Sequence, residues 1–500
     1  MGIIEKQTIK GSFFSYLGVA LGFVTVGILW PKLLDPEQIG LINFLIAISA
    51  ILAHLASLGI NTIAVRLFPY FRDDQNKHSG FLSMALIFVS SGTILVLLYY
   101  LIFKEKIVEN NMGRSALVAD YVWFIIPFTI ATLLYNLFDS LHKVTYNGVI
   151  GIFVKDFLFR VLNLVLIGLY AWFAFRFRLF LNIYFILFSF PALVLIIALY
   201  RGHQFNLKFN FSFLTKDMGR TLADVSFFGI LGGMGHIAIS NIDKIMINRF
   251  IDLEATGIYS IAFLFGSIIT IPSRPLSKIA TTIIAESWKK NDTETIKSIY
   301  SKSCLNQFIF GGLVFLMVWM NLDVVFMLIP PEYEAGRFVI LFVALTGVVE
   351  MATGLNGIII ASSKYYRYQS VFTFFLLLLV VLTNLIFIPR FGITGAALAS
   401  LLSAIIYNSV RAGFLFLKFR LQPFNYRFLI ILCVMLLTLL AGLLVKSVEH
   451  WLIRTLLNSL LVLTLFLGPI LYFRISDDIN NSLSNNADHF LKRFRSKVGR

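Results

Sequence analysis

The chain has 500 residues, of which 58% are hydrophobic and 14% are charged, and its mean hydropathy is +0.84. Soluble domains carry about 25% charged residues, so this composition excludes an ordinary soluble protein and indicates many membrane spans of about 20 residues each. No stretch between the apolar runs is long enough to fold as a separate soluble domain. Cys304 and Cys433 are too few for a disulfide framework or a cysteine metal site.

The hydropathy pattern predicts an all-α polytopic membrane protein with 14 transmembrane helices. The stretch at 219–248 is the least apolar, because it is rich in glycine and contains His236, Asn241 and Asp243. We count it as a span, because without it the predicted orientation of every later span would be inverted. The predicted limits are 11–34, 40–65, 80–103, 117–141, 149–174, 179–200, 219–248, 256–284, 303–328, 335–361, 367–388, 393–417, 425–446 and 451–473.

Lysine and arginine are distributed unevenly between the two sets of connections. With the N-terminus in the cytoplasm, the cytoplasmic segments hold 25 of these cations and the opposite segments hold 11. This bias predicts that both termini are cytoplasmic, in agreement with an even number of spans. It also explains the formal net charge of +16 as membrane topology and argues against a nucleic-acid partner.

A short internal repeat divides the chain into two halves. PKLLDPEQIGLIN at 31–43 aligns with NRFIDLEATGIYS at 248–260 at a constant offset of 217, so that Gly40 matches Gly257. Both copies enter the membrane in the same direction, which predicts halves related by a pseudo-twofold axis along the membrane normal, with the substrate between them. The predicted domains are a six-helix bundle at 1–218, a second six-helix bundle at 219–418, two additional spans at 419–474 and a basic cytoplasmic tail at 475–500. The tail either lies on anionic lipid headgroups or is a disordered segment that only sets topology.

Two cations lie inside the predicted span at 256–284. Arg274 is near the middle of this span, between two prolines that each remove a backbone donor and so predict a broken helix, and Lys278 follows one turn later. A charge at this depth is costly unless it faces a partner or a water-filled cavity, so a functional role is the default expectation. The alternative for Arg274 is a buried salt bridge to Asp243 or Glu350 that only holds helices together. The alternative for Lys278, about six residues from the inner end of the span, is snorkelling to the surface.

Four other cations are candidates for the same cavity. Arg66 and Arg411 lie towards the cytoplasmic ends of their spans. A topological anchor is an equal alternative for Arg66, and snorkelling to the surface is the favoured alternative for Arg411. Lys155 and Arg160 lie deep in the fifth span, where Asp156 and Arg160 are predicted to pair at a spacing of four residues and to leave Lys155 as the free charge. Substrate contact and a structural role between helices both stay open for this group.

Three acids are candidates for coupling transport to an ion gradient. Asp243 would bind a cation or a proton, or else pair with Arg274; Glu350 is the second candidate proton carrier and Asp156 is the third. The sequence has no ATP-binding motif, which favours a drive from an ion gradient or the membrane potential. It also has no nucleophile–base pair, metal-ligand cluster or phosphate-cradling loop, so the expectation is a protein that is not an enzyme and has no cofactor and no bound metal.

Three segments carry a resemblance to a known group of proteins. NIDKIMINRFIDLEATGIYSIAF at 241–263, IPRFGITGAALAS at 388–400 and SLGINTIAVRLFPYF at 57–71 resemble three parts of the multidrug/oligosaccharidyl-lipid/polysaccharide exporter superfamily. These parts are the exit from its seventh span, its link between spans eleven and twelve, and the end of its second span. Within the superfamily, the arrangement of six, six and two spans looks most like the polysaccharide and O-antigen flippases.

The resemblance implies a function and a site. It implies a flippase of the bacterial plasma (inner) membrane that moves a polyprenyl-pyrophosphate-linked oligosaccharide for the synthesis of O-antigen, capsule or exopolysaccharide. The implied partners are this lipid-linked substrate, membrane lipids and other polysaccharide-assembly proteins. The charged headgroup of this lipid, a pyrophosphate with its oligosaccharide, needs a hydrated cavity with cations. Arginine ranks above lysine as the deep contact because it binds phosphate in a bidentate manner. The cavity cations would come from Arg274, Lys278, Lys155, Arg160, Arg66 and Arg411.

Three other functions compete with this one. A multidrug exporter of the same superfamily usually has twelve spans and acidic cation sites, whereas the deep charges here are mostly basic. The peptidoglycan-precursor branch has a cationic first span, whereas here only Lys32 lies at its outer end. A membrane polysaccharide polymerase would need a large outer loop, and the longest predicted one is 104–116.

The charge bias makes a prediction about topology. A single cysteine placed in the loop at 289–302 should react with a membrane-impermeant thiol reagent only after the cells are permeabilised, because this loop is predicted to be cytoplasmic. Labelling in intact cells would contradict the topology and the repeat that depends on it.

Overall fold

The computed structural model describes residues 3–72, 80–112, 116–145, 147–202, 205, 207, 215–445 and 448–481. Within these residues the side chains of 3–10, 12, 107, 110–112, 116, 236, 274, 275 and 278 lie outside the description. Most of the predicted tail at 475–500 is also outside it. All regular secondary structure in the described part of the chain is helical, which confirms the predicted all-α class.

The α-helices follow one another along the whole described chain. Their bounds are α1 Ile3–Gly22, α2 Trp30–Leu33, α3 Pro36–Ala56, α4 Ile60–Phe71, α5 Phe81–Met112, α6 Ala116–Tyr121, α7 Ile125–Val144, α8 Val149–Ile152, α9 Phe159–Phe173, α10 Phe177–Arg201, α11 Lys216–Phe250, α12 Leu253–Gly266, α13 Ser273–Lys289, α14 Thr293–Met320, α15 Leu322–Leu328, α16 Arg337–Thr353, α17 Asn356–Ser362, α18 Tyr366–Phe419, α19 Tyr426–Val445, α20 Trp451–Leu461 and α21 Gly468–Tyr472. Wider π-helical turns occupy Phe23–Leu29, Phe153–Leu158 and Val462–Leu467.

Among the described residues, 11 helices are long and apolar enough to cross a membrane, or 12 if the bent pair Lys216–Gly235 and Ile237–Phe250 forms one span. The 54 residues of α18 would extend about 80 Å, far more than the roughly 30 Å of a hydrocarbon core. This helix breaks at Gly392, which has φ 59° and ψ −140°, in the link between the predicted spans at 367–388 and 393–417. The count of fourteen spans stays a prediction.

Two of the helical segments approach each other closely around a glycine. A Cβ atom on Gly18 of α1 would lie 1.8 Å from the carbonyl oxygen of Asp156, in the π-helical turn Phe153–Leu158. Small residues allow membrane helices to come this close, and π-helical turns are frequent at functional sites. The packing therefore fixes the π-helical turn that carries Lys155 and Asp156 against the first helix.

The predicted internal repeat appears as a reciprocal contact between its two copies. A Cβ atom on Gly40 would lie 1.8 Å from the carbonyl oxygen of Leu253, and one on Gly257 would lie 1.9 Å from that of Pro36. The matched pairs, Gly40 with Gly257 and Pro36 with Leu253, are both separated by the repeat offset of 217 residues. Such an exchange of equivalent contacts is what two segments related by a twofold axis would make, so it supports the repeat.

The chain divides into two compact units, each described here by itself. Unit 1 comprises Met1–Leu264 with Thr373–Ala396, and unit 2 comprises Phe265–Phe372 with Ala397–Arg500. Unit 2 has an apolar core in which Ile431, Met435 and Phe466 of the C-terminal helices are buried. The two helices at the C-terminal end therefore pack as part of unit 2, while the predicted domain limits stay a prediction.

The turn between α13 and α14 is fixed by a helix cap. Asp292 accepts hydrogen bonds from the hydroxyl of Thr295 at 2.7 Å and from its backbone N–H at 2.9 Å. Both hydrogen bonds lower the pKa of the Asp292 carboxyl, and the one from the hydroxyl of Thr295 has the larger effect. The cap begins α14 directly after Asn291, whose φ of 56° turns the chain.

The reciprocal glycine contact makes a prediction about stability. Gly40→Ala and Gly257→Ala should each lower the melting temperature of the purified protein, because the new methyl group meets backbone that cannot move aside. Overpacking of this kind costs about 1–3 kcal/mol. Gly168→Ala is the matched control, since a Cβ atom there has nothing within 4 Å and alanine favours the helix. Equal melting temperatures for all three variants would reject this packing.

Candidate functional site

A cavity of about 430 Å³ lies within unit 2, among α13, α14, α16, α17 and α18. We call it the polar cavity, because most of the side chains around it carry hydrogen-bonding groups. It is lined by Thr270, Ser273, Ser277, Gln307, Glu350, Met351, Gly354, Asn356, Gly357, Ile358, Ala361, Gln369, Tyr407, Asn408 and Arg411. A polar cavity inside an apolar helical protein marks a place where a hydrophilic group can be held away from lipid.

Arg411 is the cation among the described residues that line the polar cavity. Its guanidinium carbon lies 4.6 Å from the ring centroid of Tyr407, one helical turn earlier on α18. The guanidinium also fills the space that a side chain on Gly357 would need, since a Cβ atom there would lie 1.5 Å from Nη2. Its Nε is buried and has no hydrogen-bond partner among the described residues. Arg411 therefore points into the cavity rather than snorkelling to the surface, and it has donor capacity to spare.

Glu350 brings a carboxylate to the same cavity. It lies in the last turn of α16, it is exposed to the cavity, and its charge and that of Arg411 act on each other. No ion pair within 4 Å joins these two described side chains. The helix ends at Gly354, whose φ of 49° favours glycine and allows α17 to begin beside the carboxylate. The cavity therefore holds both charges without a direct bond between them.

Amide side chains complete the polar lining. Asn356 donates to Asn408 at 3.3 Å, and Asn408 donates to the carbonyl of Ala404 at 2.9 Å. Gln307 donates to the hydroxyl of Ser303 at 3.4 Å. Together with an arginine, a carboxylate and the face of a tyrosine ring, these groups suit a ligand that has both an anion and hydroxyl groups.

The sequence correctly predicted a broken helix around Arg274. α12 ends at Gly266, a tight helical turn covers Ser267–Thr270, and α13 begins at Ser273. Thr270 in this break and Ser273 and Ser277 at the start of α13 line the polar cavity. The side chains of Arg274 and Lys278 lie outside the described part of the structure, so their predicted contact with substrate stays a prediction.

A second group of charges lies in unit 1. The ammonium of Lys155 lies 4.0 Å from the ring centroid of Tyr135, whose hydroxyl donates to the carbonyl of Gly151 at 3.3 Å. Asp139 pairs with Lys143 at 2.5 Å, and its carboxylate fills the space beside Gly151. The ring of Tyr135 therefore supports a deep lysine by a cation–π contact. The sequence predicted the lysine but missed Tyr135 and Asp139, which lie on a different helix.

Arg160 and Arg66 have different surroundings. The guanidinium of Arg160 donates to the carbonyl of Gly18 on α1 at 2.8 Å. It fits there because Gly22 has no side chain to occupy the same space. This bond ties the fifth predicted span to the first. Arg66 is exposed on α4, as either an anchor or an entrance residue would be. The predicted pairing of Arg160 with Asp156 and the predicted roles of these cations stay predictions.

Asp243 lies in unit 1, on α11. It is buried and accepts hydrogen bonds from the hydroxyl of Tyr259 at 2.7 Å and from the amide of Asn384 at 2.6 Å. The next residue, Lys244, donates to the side chain of Asn43 at 3.1 Å. Adjacent residues of α11 therefore bind different helices. Tyr259 belongs to the Gly-x-Tyr of the resembling segment, but no spacing in the sequence pointed to Asn384.

Comparisons with known proteins place the chain in a family. The model of a family described as "Polysaccharide biosynthesis protein" matches residues 10–284, more than half of the chain. No curated protein sequence matches the chain at a significant level.

Three solved structures share its fold. The chain is similar to the lipid II flippase MurJ in an inward closed conformation, with a TM-score of 0.72, 14% identity and coverage of 93% of this chain and 99% of that one. An inward-facing multidrug resistance MATE family transporter of the MOP superfamily gives a TM-score of 0.62, with 13% identity over 82% of this chain and 98% of that one. An outward-facing multidrug resistance MATE family transporter of the MOP superfamily gives a TM-score of 0.53, with 15% identity over 83% of this chain and 95% of that one.

The matched family and the shared fold agree with the segments quoted from the sequence. The protein is therefore a multi-pass membrane protein that belongs to the polysaccharide biosynthesis protein family.

Proposed function

We propose that this protein is a flippase that moves a polyprenyl-pyrophosphate-linked oligosaccharide from the inner to the outer leaflet of the bacterial plasma membrane. The product serves the synthesis of surface polysaccharide, whether O-antigen, capsule or exopolysaccharide. The proposed architecture has fourteen spans, as two pseudo-symmetric six-helix bundles and two additional helices, with both termini in the cytoplasm. The family match and the fold shared with a lipid II flippase support this proposal.

The polar cavity is the observation that carries the proposal. An oligosaccharide pyrophosphate cannot cross hydrocarbon unaided, because its charges and hydroxyl groups would lose their water. Arg411 would hold a phosphate oxygen, the amides of Asn356, Asn408 and Gln307 would hold sugar hydroxyls, and the ring of Tyr407 would cover a sugar face. The volume of about 430 Å³ is in the usual range for small-molecule sites.

Glu350 is the proposed proton carrier. When the cavity is empty, its charge balances that of Arg411 across the same space. An anionic headgroup that takes over Arg411 leaves the carboxylate facing another negative charge, so uptake of a proton then becomes favourable. Binding of substrate and of a proton would thus support each other, as alternating access driven by a gradient requires. Asp243, held by Tyr259 and Asn384, is the proposed alternative carrier, with Asp156 as a third.

A multidrug exporter is the second candidate, because the chain shares its fold with MATE transporters and because an accessible carboxylate beside Tyr407 also suits an organic cation. The two functions predict different phenotypes for cells that lack the protein. A flippase mutant loses surface glycan, and an exporter mutant becomes sensitive to drugs.

The first test of the proposal is at Arg411. Arg411→Ala should abolish surface polysaccharide while the protein accumulates normally, and Arg411→Lys should restore little, because a lysine cannot reproduce the planar fork. Immunoblots of cell-surface glycan measure the result. Arg390→Ala, at an exposed arginine before the break of α18 at Gly392, is the control and should behave as wild type. A wild-type level of surface glycan in cells with Arg411→Ala, or a gain of drug sensitivity without loss of glycan, would reject the proposed binding of the pyrophosphate by Arg411.

A second test moves Arg411 without removing it. Gly357→Ala places a methyl group where the guanidinium lies, so the guanidinium must shift. Glycan export should fall by about tenfold or more, because small displacements of a binding group are costly. Folding should persist, since alanine is a better helix former than glycine. Gly413→Ala, with nothing within 4 Å of its Cβ atom, is the control; equal export by the two variants would contradict this geometry.

Arg274 has a separate test. If it binds the pyrophosphate, Arg274→Ala should abolish surface polysaccharide at normal protein levels, and Arg274→Lys should restore little. If it only neutralises Asp243 or Glu350, its loss should reduce stability, and a double variant that also carries Asp243→Asn or Glu350→Gln should recover export. Full recovery in a double variant would reject substrate binding by Arg274.

A further inference from the structure

A second cavity, of about 480 Å³, lies within unit 2 at the C-terminal end of α13. We call it the basic vestibule, after two lysines that line it; its walls include Trp288, Lys289, Asn291, Ser362, Lys364 and Phe419. None of the described residues that line it is acidic. The end of α13, the turn before α18 and the end of α18 meet here, and the charge bias predicts each of them to be cytoplasmic.

The vestibule has a rigid aromatic wall beside its lysines. The rings of Trp288 and Phe419 are 4.8 Å apart, and the indole N–H donates to the carbonyl of Ile359 at 3.2 Å. The ring centroids of Tyr365 and Phe419 are 5.6 Å apart, and the ammonium of Lys364 lies 5.3 Å from the ring centroid of Tyr365. These contacts hold a concentrated positive charge against a fixed aromatic surface.

The vestibule and the polar cavity lie along the same pair of helices, α13 and α17. On α13, Ser273 and Ser277 line the polar cavity, while Ala285 and Lys289 line the vestibule. Residues four apart are offset by about 40° around an α-helix, so these residues form a stripe that winds partway around α13 from one cavity towards the other. Thr281 lies between them in this stripe and is exposed.

The second helix that contributes to both cavities is α17. Ile358 and Ala361 of this helix line the polar cavity, and the next residue, Ser362, lines the vestibule. The two cavities are therefore consecutive along the same pair of helices.

We propose that the basic vestibule binds the pyrophosphate of a membrane-embedded polyprenyl carrier before the headgroup moves along α13 and α17 into the polar cavity. This inference rests on the proposed flippase function. Two lysines match the charge of a pyrophosphate, and hydrated ammonium groups release phosphate more easily than a bidentate arginine does. Exposed apolar side chains on the same helices, Ile283, Phe416 and Leu417, provide a surface along which the polyprenyl tail stays in lipid.

The test separates the vestibule from the polar cavity by using the full chain with Arg411→Ala and Arg274→Ala, which removes both arginines that are proposed to bind phosphate deeper in the protein. Isothermal titration of the detergent-purified protein with farnesyl pyrophosphate should still show binding. Adding Lys289→Gln and Lys364→Gln should weaken that binding by at least about tenfold, because both ammonium groups face the same anion. Lys290→Gln is the matched control, since Lys290 pairs with Glu286 at 2.7 Å and does not line the vestibule.

Two results would overturn this inference. Unchanged binding after loss of both lysines would show that the vestibule does not hold the pyrophosphate. Equal affinity for inorganic pyrophosphate and farnesyl pyrophosphate would show a site for free phosphate with no preference for a lipid carrier.

Failure of the proposed function would look different. If export in cells depends on Arg411 while the two-lysine variant binds and exports normally, the vestibule role is wrong and the flippase stands. If cells that lack the protein keep full surface glycan, the flippase function is wrong whatever the vestibule binds.

Discussion

The structure depends on one constraint: a charge among apolar helices costs several kcal/mol unless it has a partner or water. The chain meets this constraint in different ways. Asp243 accepts hydrogen bonds from two uncharged donors, and Lys155 lies against an aromatic ring. Arg411 and Glu350 instead face a common open volume without a direct ion pair. The hydrogen bonds of Asp243 and the ring contact of Lys155 suit groups that stay in place. The open volume between Arg411 and Glu350 suits groups that exchange one partner for another.

Glycine controls both the packing and the site, because lipid gives helices no hydrophobic reason to associate and close backbone contact takes that role. Gly40 and Gly257 join the two copies of the repeat through backbone. Gly357 uses the same absence of a side chain for another purpose, since the space it leaves is filled by the guanidinium of Arg411. The absence of a side chain at glycine therefore both lets helices pack closely and lets the guanidinium of Arg411 point into a cavity.

Sequence reasoning recovered features that depend on local pattern and missed those that depend on distant contacts. Hydropathy predicted the helical class, two prolines predicted the break before Ser273, and a constant offset revealed the repeat. The favoured snorkelling of Arg411 is not what the structure shows, because position along a helix does not reveal that Gly357, more than fifty residues earlier, makes room for the guanidinium. The cavity amides Gln307, Asn356 and Asn408 come from three helices, and no spacing along the chain brings them together.

The family match and the candidate site cover different parts of the chain. The family model ends at residue 284, whereas most of the polar cavity is built from residues after 300. The same fold also serves proteins whose names specify very different cargo, a lipid II flippase and multidrug transporters, at 13–15% identity. A fold shared so widely cannot select the cargo, so selection must come from the side chains that line the cavities. In this chain an arginine, a carboxylate, amides and a tyrosine ring have that position, and we propose that they select a headgroup that is both anionic and rich in hydroxyls over a hydrophobic cation.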